Sequence, residues 1–363
     1  MSRRSAAASA DRDARGGLRL PARTPAAAGY AMPAEWARHA ATWFSWPRDP
    51  VTFRDLEAVE RAFVAAMAVL SHGERVEVLL PDAATLRRAQ GMLGRAGARD
   101  VRLRVLRTAD VWIRDYGPTF LRRVRGRGPR RAFVRWRFNA WGGKYEKLLA
   151  DDGIPDRLGL DLPRFAPPLV LEGGSIDVDG AGTVLTTEQC LLHPNRNPHL
   201  NRAELEAYLR AYLGVRHVVW LGAGVEGDDT DGHVDDLARF VAPGTVVTAY
   251  EDDRSDANFA ALHDAWRRLV ASTDADGRPL TVVRLPMPGP LHVGRRRLPA
   301  SYANYLLGNR VVLLPAYGPK ARDAAAARVL RRCFPGRTVV PIDCREVVYG
   351  YGSLHCASQQ EPG

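Results

Sequence analysis

Segments with strand-like and helix-like patterns alternate along almost the whole chain, and this alternation constrains the fold most. Apolar strand-like runs are followed by longer segments in which apolar residues recur at helical spacing. The strand candidates are 75–81, 101–106, 131–138, 217–222 and 281–286. The helix candidates are 56–72, 203–214, 257–273 and 322–334. Such alternation predicts an α/β fold.

Three of the apolar runs form a weak internal repeat. TVLTTEQC begins at Thr183, VVTAYEDD at Val246 and VVLLPAYG at Val311. Each run resembles a strand and is followed by a helix after a short loop. Repeats of this length are typical of units stacked or arranged around an axis, and about five of them would fit in this chain. The spacing alone leaves open the alternative that these are the loosely spaced strands of any α/β protein.

The composition is that of a folded chain with an apolar core. Of 363 residues, 46% are hydrophobic and 26% are charged, which excludes a disordered or collagen-like protein. Residues 1–29 contain few large apolar side chains and are predicted to form a disordered tail. No apolar run follows Arg3-Arg4 and none reaches 18 residues, so we predict neither a secretion signal nor a membrane contact, and therefore a cytoplasmic protein.

The net charge and the spacing of the cysteines bear on which partners and which cellular compartment are expected for this chain. The net charge is +11, and a basic face can contact nucleic acid. The chain nevertheless has no helix-turn-helix, aromatic–basic RNA motif or lysine tract, so no nucleic-acid partner is expected. The four cysteines form no CxxC pair, which argues against a structural zinc site and for a reducing compartment.

Two polar clusters follow apolar segments. In 112–118, an apparently extended segment carries Trp112 and Asp115 just before a Gly-Pro break; taken alone, the aspartate reads equally as a turn residue. Glu172 follows a short apolar run and precedes Gly173-Gly174, where the backbone can approach a ligand closely. A plain β-turn is the alternative for this second cluster.

A third cluster is the acidic segment 227–236. If His233 to Asp235 is extended, both side chains point to one face of a strand. A histidine and a carboxylate in one space suggest a metal site, but no second histidine or cysteine stands at ligand spacing, so no metal is predicted. A solvated acidic loop remains the alternative.

The fourth cluster, 350–356, ends at Cys356. A cysteine after a glycine-rich turn is a candidate nucleophile, since turn amides or a nearby cation stabilise its thiolate. His355 would point the opposite way on a strand, which makes it a poor base for this thiol. Cys190, Cys333 and Cys344 are interpreted as small buried apolar residues.

A thiol, a histidine and three carboxylates together suit a planar cation. Two of the carboxylates Asp115, Glu172 and Asp235 can hold a guanidinium flat and keep its carbon electrophilic. A thiolate can attack that carbon, while a histidine serves as the acid for departing ammonia. The third carboxylate, on the far nitrogen of the histidine, would keep it oriented and protonated. This chemistry needs no cofactor.

Seven ordered blocks between Met32 and Pro362 resemble the agmatine deiminase and bacterial-type peptidyl-arginine deiminase family of the guanidine-modifying superfamily. The blocks are MPAEWARHAATWFSWP (32–47), VWIRDYGPTF (111–120), FNAWGGKY (138–145), LEGGSIDVDGAGTVLTTEQCLLHPNRNP (171–198), GDDTDGHVDDLARF (227–240), SYANYLLGN (301–309) and GYGSLHCASQQEP (350–362). The resemblance implies a five-bladed α/β propeller with pseudo-fivefold symmetry and the active site on its axis. It also implies that residues 30–363 form a single catalytic domain.

The resemblance assigns roles residue by residue. Cys356 matches the nucleophile, His233 the general acid and base, and Glu172 the carboxylate that supports the histidine. Asp115 and Asp235 match the guanidinium ligands. Two further residues match substrate-binding positions. Trp112 matches the aromatic residue that lines the pocket. Asp229 stands where agmatine deiminases commonly have a glutamate near the substrate.

The sequence departs from the family pattern at a few positions. Tyr351 and Ser353 replace the usual glycine and asparagine beside the nucleophile, which reshapes the pocket wall. Asp229 is one methylene shorter than glutamate. Arg135 and Arg137 flank the tryptophan before FNAWGG and would either clamp a substrate carboxylate or lie on the surface.

These residues predict a small cationic guanidine as substrate. The favoured reaction is hydrolysis of agmatine to N-carbamoylputrescine and ammonia, on the route to putrescine, through a covalent thiouronium on cysteine. The alternative keeps the chemistry and changes the substrate to free or peptidyl arginine, giving citrulline. Homo-oligomerisation is left open.

Overall fold

Helices with defined caps connect parallel strands, as the alternating pattern predicts. The long helices are Leu56–Leu70, Ala83–Arg95, Arg202–Leu213, Phe259–Val270 and Lys320–Cys333. The first begins where the Asp55 side chain accepts from the Ala58 amide, and the third begins at a capping box of Asn201 and Glu204. The third ends at Gly214, which takes the left-handed conformation that glycine adopts without strain. The four helices predicted from the sequence are all confirmed within a few residues.

The computed structural model describes residues 18–363, and the strands of these residues form six sheets. Five are large, here numbered I to V. In their hydrogen-bonded order, the strands of sheet I are Ser358–Pro362, His39–Ser45, Arg75–Leu80 and Val101–Val105, and those of sheet II are Tyr30–Ala31, Thr119–Arg123, Arg131–Val134 and Arg164–Phe165. Sheet III contains His217–Leu221, Thr183–Thr187 and Asp177–Val178; sheet IV contains Ala238–Ala242, Thr245–Tyr250 and Thr281–Pro286; sheet V contains Leu306–Leu307, Val311–Ala316 and Thr338–Asp343. The sixth is the hairpin His292–Val293 with Arg296–Arg297.

Sheets I to V share one strand arrangement. In each, one strand pairs antiparallel with one neighbour and parallel with the other. The three segments of the internal repeat supply this strand in sheets III, IV and V, so the repeat is confirmed as structural. His39–Ser45 and Arg131–Val134 occupy the same place in sheets I and II. The fold is therefore a mixed α/β fold built from five similar units.

The strand predicted over 131–138 is shorter than expected, because the regular strand ends at Val134. Beyond it the chain continues beside Phe165 and Leu169 through the amides of Arg135 and Arg137. The chain is thus extended but irregular toward residue 138.

Part of the predicted disordered tail is ordered. Residues 1–17 lie outside the described residues. Leu18, Leu20 and Ala28 pack against an apolar cluster, and the Ala26 amide donates to the Ala211 carbonyl. Residues between 18 and 29 therefore contact the folded part of the chain, including the helix Arg202–Leu213.

In each large sheet a short turn stands before the strand that pairs antiparallel with its neighbour. Ile113–Tyr116, Gly173–Ser175, Val234–Asp236 and Tyr302–Asn304 precede strands of sheets II, III, IV and V. A turn at 354–357 precedes Ser358–Pro362 of sheet I. The polar clusters found in the sequence lie on or beside these turns. Among the described residues no helix is long and apolar enough to cross a membrane.

Candidate active site

The five turns meet one another and bring the candidate residues together. The Arg114 amide donates to the Cys356 carbonyl at 3.2 Å, and the Gly174 amide donates to Asp115 Oδ1 at 3.0 Å. A Cβ added at Gly174 would lie 2.5 Å from His233. Ser301 Oγ donates to the Asp236 carbonyl at 2.7 Å, and the His355 amide donates to Asn304. Each turn thus contacts the next, and the last contacts the first.

Cys356 is buried and lies beside Asp235, which was predicted to share its site, and beside Asn304, which was not. Its Sγ is 3.3 Å from Asp235 Oδ2 and accepts from Asn304 Nδ2 at 3.0 Å. Asn304 Oδ1 in turn accepts from the amides of His355 and Cys356. The amide group of Asn304 is therefore fixed by the backbone of the nucleophile's own turn.

Asp235 contacts a buried series of ionisable side chains formed by His355, Glu35 and Arg239. His355 Nδ1 lies 2.7 Å from Asp235 Oδ2, and its Nε2 lies 2.9 Å from Glu35 Oε2. Glu35 is paired with the fully buried Arg239. Both ring nitrogens of His355 therefore face carboxylates. The strand assumed for His355 is a turn, in which the His355 ring and the Cys356 thiol contact the same oxygen of Asp235. The role of His355 beside Asp235 was not foreseen.

His233 lies between two carboxylates and has no hydrogen-bond partner on either ring nitrogen. Its Nδ1 is 3.7 Å from Asp115 Oδ1, and its Nε2 is 4.0 Å from Glu172 Oε2. Glu172 Oε1 accepts from the buried Arg196 at 2.7 Å, which fixes this carboxylate. Cys190 is buried as predicted, but its thiol also lies within 4.8 Å of the His233 and Glu172 donor atoms.

Asp115 is positioned by the helical turn Ile113–Tyr116, which corrects the predicted extended segment. Its Oδ2 accepts from Trp141 Nε1 at 3.0 Å. Gly174 lets three side chains approach the backbone closely, because an added Cβ would also lie 3.0 Å from Asp115 Oδ1 and 3.2 Å from Asp235 Oδ2. The close approach of a ligand to Gly173-Gly174 stays a prediction.

The segment from His233 to Asp235 is likewise not a strand. Asp228 Oδ2 accepts from the amides of Gly232 and His233 at 2.8 and 2.9 Å. These bonds bend the chain into the turn Val234–Asp236. The acidic segment is thus mostly not a solvated loop, since Asp235 and Asp236 are buried.

Trp112 and Asp229 border the site at different depths. Trp112 is buried, and a Cβ at Gly352 would lie 2.6 Å from its ring and 3.1 Å from Cys356 Cβ. Asp229 lies further out, where its carboxylate accepts from Tyr145 Oη and pairs with Arg296 at 3.1 Å. Tyr351 adopts a left-handed backbone with φ of 66°.

Neither candidate clamp arginine is bonded to the catalytic candidates. Arg135 pairs with Asp152 at 2.7 Å and with Asp156 at 3.3 Å. Arg137 is exposed. The surface interpretation of both arginines is therefore favoured over a substrate clamp.

The surroundings of the site raise the pKa values of both Cys356 and His233. Burial, together with the charges of Asp235, Asp236 and Asp115, raises the pKa of the Cys356 thiol well above its ordinary value. Burial opposes the charged form of His233, but Asp115, Cys190 and Glu172 hold its pKa well above the ordinary value. A resting pair of neutral thiol and imidazolium is therefore favoured.

Asp115 and Asp235 differ although both are buried. Burial raises the pKa of Asp115 to about 6, with the charge of His233 opposing. Burial would also raise the pKa of Asp235, but the hydrogen bond and charge of His355 hold it below its ordinary value. Asp235 is therefore the more firmly ionised of the two carboxylates.

Four buried polar atoms of the site have no hydrogen-bond partner: Glu172 Oε2, His233 Nδ1, His233 Nε2 and Asp235 Oδ1. Buried polar groups are normally paired, and the two carboxylate oxygens among these atoms can accept from a ligand with several donors.

Two groups of side chains have donor atoms close enough to share a metal ion. They are Glu172 with Cys190 and His233, and Asp235 with Asp236 and Cys356. In the first, the charge of Arg196 on Glu172 disfavours a cation. In the second, Asn304 Nδ2 lies 3.0 Å from both Asp236 Oδ1 and Cys356 Sγ and takes the place of an ion. These side chains therefore fit an organic cation better than a metal.

Comparison with known proteins agrees with this geometry. Residues 31–362 match the model of the Porphyromonas-type peptidyl-arginine deiminase family. The chain is 40% identical to an agmatine deiminase of Stutzerimonas stutzeri over 93% of this chain and 97% of that one. It superposes on the agmatine deiminase of Enterococcus faecalis with a TM-score of 0.86 at 34% identity, covering 95% and 99% of the two chains. A putative arginine deiminase from Porphyromonas gingivalis gives 0.84 at 37% identity, over 92% and 98%.

Proposed function

Because the chain belongs to the Porphyromonas-type peptidyl-arginine deiminase family, we propose that it hydrolyses agmatine to N-carbamoylputrescine and ammonia. The relatives named agmatine deiminase support this substrate. The observation that carries the proposal is the presence of two unpaired buried carboxylate oxygens, Glu172 Oε2 and Asp235 Oδ1. A guanidinium supplies N–H donors in a fork that matches carboxylates.

Asp115 and Asp235 hold the guanidinium in this proposal. Both carboxylates lie beside the backbone of Gly174, and Cys356 Sγ lies 3.3 Å from Asp235 Oδ2. A cation held by these carboxylates offsets the negative charges that raise the pKa of the thiol. Substrate binding therefore favours the thiolate, and the thiol proton passes to solvent or to a neighbouring carboxylate.

The first half of the reaction forms a covalent intermediate. The thiolate adds to the guanidinium carbon and forms a carbon–sulfur bond. The imidazolium of His233 donates its proton to one nitrogen, the carbon–nitrogen bond breaks, and ammonia leaves. The alkyl thiouronium remains on Cys356.

Water completes the reaction. Neutral His233 accepts a proton from water as its oxygen adds to the thiouronium carbon. The carbon–sulfur bond breaks, the ureido product leaves, and the sulfur is released as thiolate. Glu172, fixed by Arg196, keeps the imidazole oriented and favours its protonated form.

We further infer that sheets I to V form the five blades of a propeller with the site on its axis. The shared strand arrangement supports this. So does the sequence of contacts among the turns that precede the sheets, since each turn contacts the next and the last contacts the first. Residues 30–363 would then form one catalytic domain.

Ammonia release from agmatine, free arginine and a peptide with C-terminal arginine tests the function directly. Turnover of agmatine, with the ureido product identified by mass, is the expected result. Preferential turnover of either arginine substrate would replace agmatine by an arginine carboxylate and return Arg135 and Arg137 to consideration as a clamp. No turnover of any of them would contradict the proposed chemistry.

A further inference from the structure

The outer wall of the proposed site already holds a cation, the side chain of Arg296. Arg296 Nη2 lies 3.1 Å from Asp229 Oδ1. The same guanidinium lies over the ring of Tyr351, 3.9 Å from its centroid. A carboxylate beside an aromatic face is an environment that binds organic cations.

Both partners of Arg296 connect to the inner site. Tyr351 stands next to Gly352, which packs against Trp112 and Cys356. On the other side, Asp229 accepts from Tyr145 Oη, and the Tyr145 ring packs edge-on against Trp141. Trp141 donates to Asp115. A continuous series of contacts thus leads from Asp115 and Cys356 in the inner site outward to Asp229 and Arg296.

The Arg296 side chain is positioned so that it can move away from Asp229. Its side chain is 48% exposed, whereas that of Asp229 is 22% exposed. It stands on the hairpin of His292–Val293 and Arg296–Arg297 rather than in a large sheet. Ion pairs this exposed contribute little free energy, so another cation can replace the guanidinium.

We propose that Arg296 competes with the distal ammonium of the substrate for the subsite formed by Asp229 and Tyr351. The inference rests on the proposed function, since agmatine carries a second cation at the end of its chain. Arg296 then determines specificity by lowering the affinity for a cationic tail relative to an uncharged one. It takes no part in the chemistry.

Butylguanidine provides the matched probe, because it keeps the guanidinium and the four-carbon chain and lacks the ammonium. Calorimetry on proteins carrying Cys356→Ser measures the binding of both ligands without turnover. Arg296→Ala is expected to raise the preference for agmatine over butylguanidine about tenfold, the combined effect of a weak ion pair and a cation–π contact. Arg295→Ala, on the same hairpin, is the control and leaves this preference unchanged.

A double-mutant cycle assigns the effect to the ion pair. With Asp229→Asn in place, Arg296→Ala should change the preference much less, because the contested carboxylate is gone. An unchanged or lowered preference for agmatine in both Arg296→Ala and Arg296→Gln would overturn the proposal. Ammonia release by the wild-type protein tests the proposed function separately, so the two failures are distinguishable.

Discussion

Gly174 shows how a single missing methyl group shapes the proposed site. A Cβ here would lie 2.5 Å from His233 Nδ1 and 3.0 Å from Asp115 Oδ1. Gly174→Ala is therefore expected to displace these side chains and lower kcat/KM roughly a hundredfold. Gly94→Ala is the matched control, since an added Cβ there meets nothing within 4 Å on the helix Ala83–Arg95. Equal steady-state activity of the two variants would contradict the placement of the substrate beside Gly174.

The ionisation of Asp115 predicts an acidic limit to activity. Its pKa is raised to about 6 by burial, and only the ionised carboxylate can hold a guanidinium. Protonation as the pH falls through about 6 should therefore lower kcat/KM tenfold per pH unit. Ammonia release measured from pH 8 to 4.5 checks this, with circular dichroism showing that the protein stays folded. A kcat/KM that stays constant to pH 4.5 would argue against Asp115 as a guanidinium ligand.

Sequence patterns identified most of the residues that meet in the site but not all of them. Cys356, His233, Glu172, Asp115 and Asp235 could be proposed because each stands beside a glycine-rich or turn-forming segment. Asn304 was missed, since an asparagine in SYANYLLGN has no chemical signature. Its partners lie 51 and 52 residues further along the chain. The position of its turn before a strand of sheet V was the available signal.

At the scale of elements, His355 couples the last turn of the chain to two others. It bridges Asp235 of the turn Val234–Asp236 and Glu35. Without the interactions of His355 that hold the pKa of Asp235 below its ordinary value, burial raises that pKa. His355→Gln is therefore expected to move the acidic limb of kcat/KM upward by on the order of one pH unit. A merely structural role would lower the rate without moving the limb.

His72→Gln is the control for this experiment, because His72 is exposed on the turn after Leu56–Leu70. Its pH profile should match that of the wild type. An unshifted limb in His355→Gln would show that His355 does not set the charge state of the site.

Short elements were harder to predict than long ones because they contain too few residues to show a periodic pattern. A helix such as Leu56–Leu70 repeats its apolar spacing over several turns, so the pattern is unambiguous. Ile113–Tyr116 and Val234–Asp236 span four and three residues, too few to separate a strand from a turn. Side-chain bonds decide the second case, since Asp228 accepts from two successive amides.

At the scale of the molecule, the final strand joins the two ends of the described chain. Ser358–Pro362 pairs with His39–Ser45, which places Cys356 beside sheet I. Glu361 fastens this pairing by accepting from Trp43 Nε1 at 2.9 Å and by pairing with Arg131.

Glu361→Ala should therefore destabilise the whole fold. It leaves a buried indole N–H without a partner, at a cost of about 1–3 kcal/mol, and thermal unfolding should occur a few degrees lower. Glu57→Ala is the control, because the Glu57 side chain is 80% exposed. If both variants unfold at the temperature of the wild type, the final strand does not contribute to stability as described.

The fold class could be predicted because apolar strand-like and helix-like patterns alternate along the chain, and the repeat because its three apolar runs form equivalent strands of sheets III, IV and V. Which turns would meet could not, because that depends on pairings between distant segments such as residue 358 with residue 44. The packing of residues 18–29 was missed for the same reason, since their partner surface is formed by a helix nearly two hundred residues later.

The covalent role of Cys356 is tested most directly by the mass of the protein during turnover. Wild-type protein turning over agmatine is quenched in acid, digested and analysed by mass spectrometry. The peptide containing Cys356 should carry the added mass of the alkyl thiouronium, and Cys356→Ser should show neither adduct nor ammonia release. An adduct on Cys190, or undiminished ammonia release by Cys356→Ser, would contradict the assignment of the nucleophile.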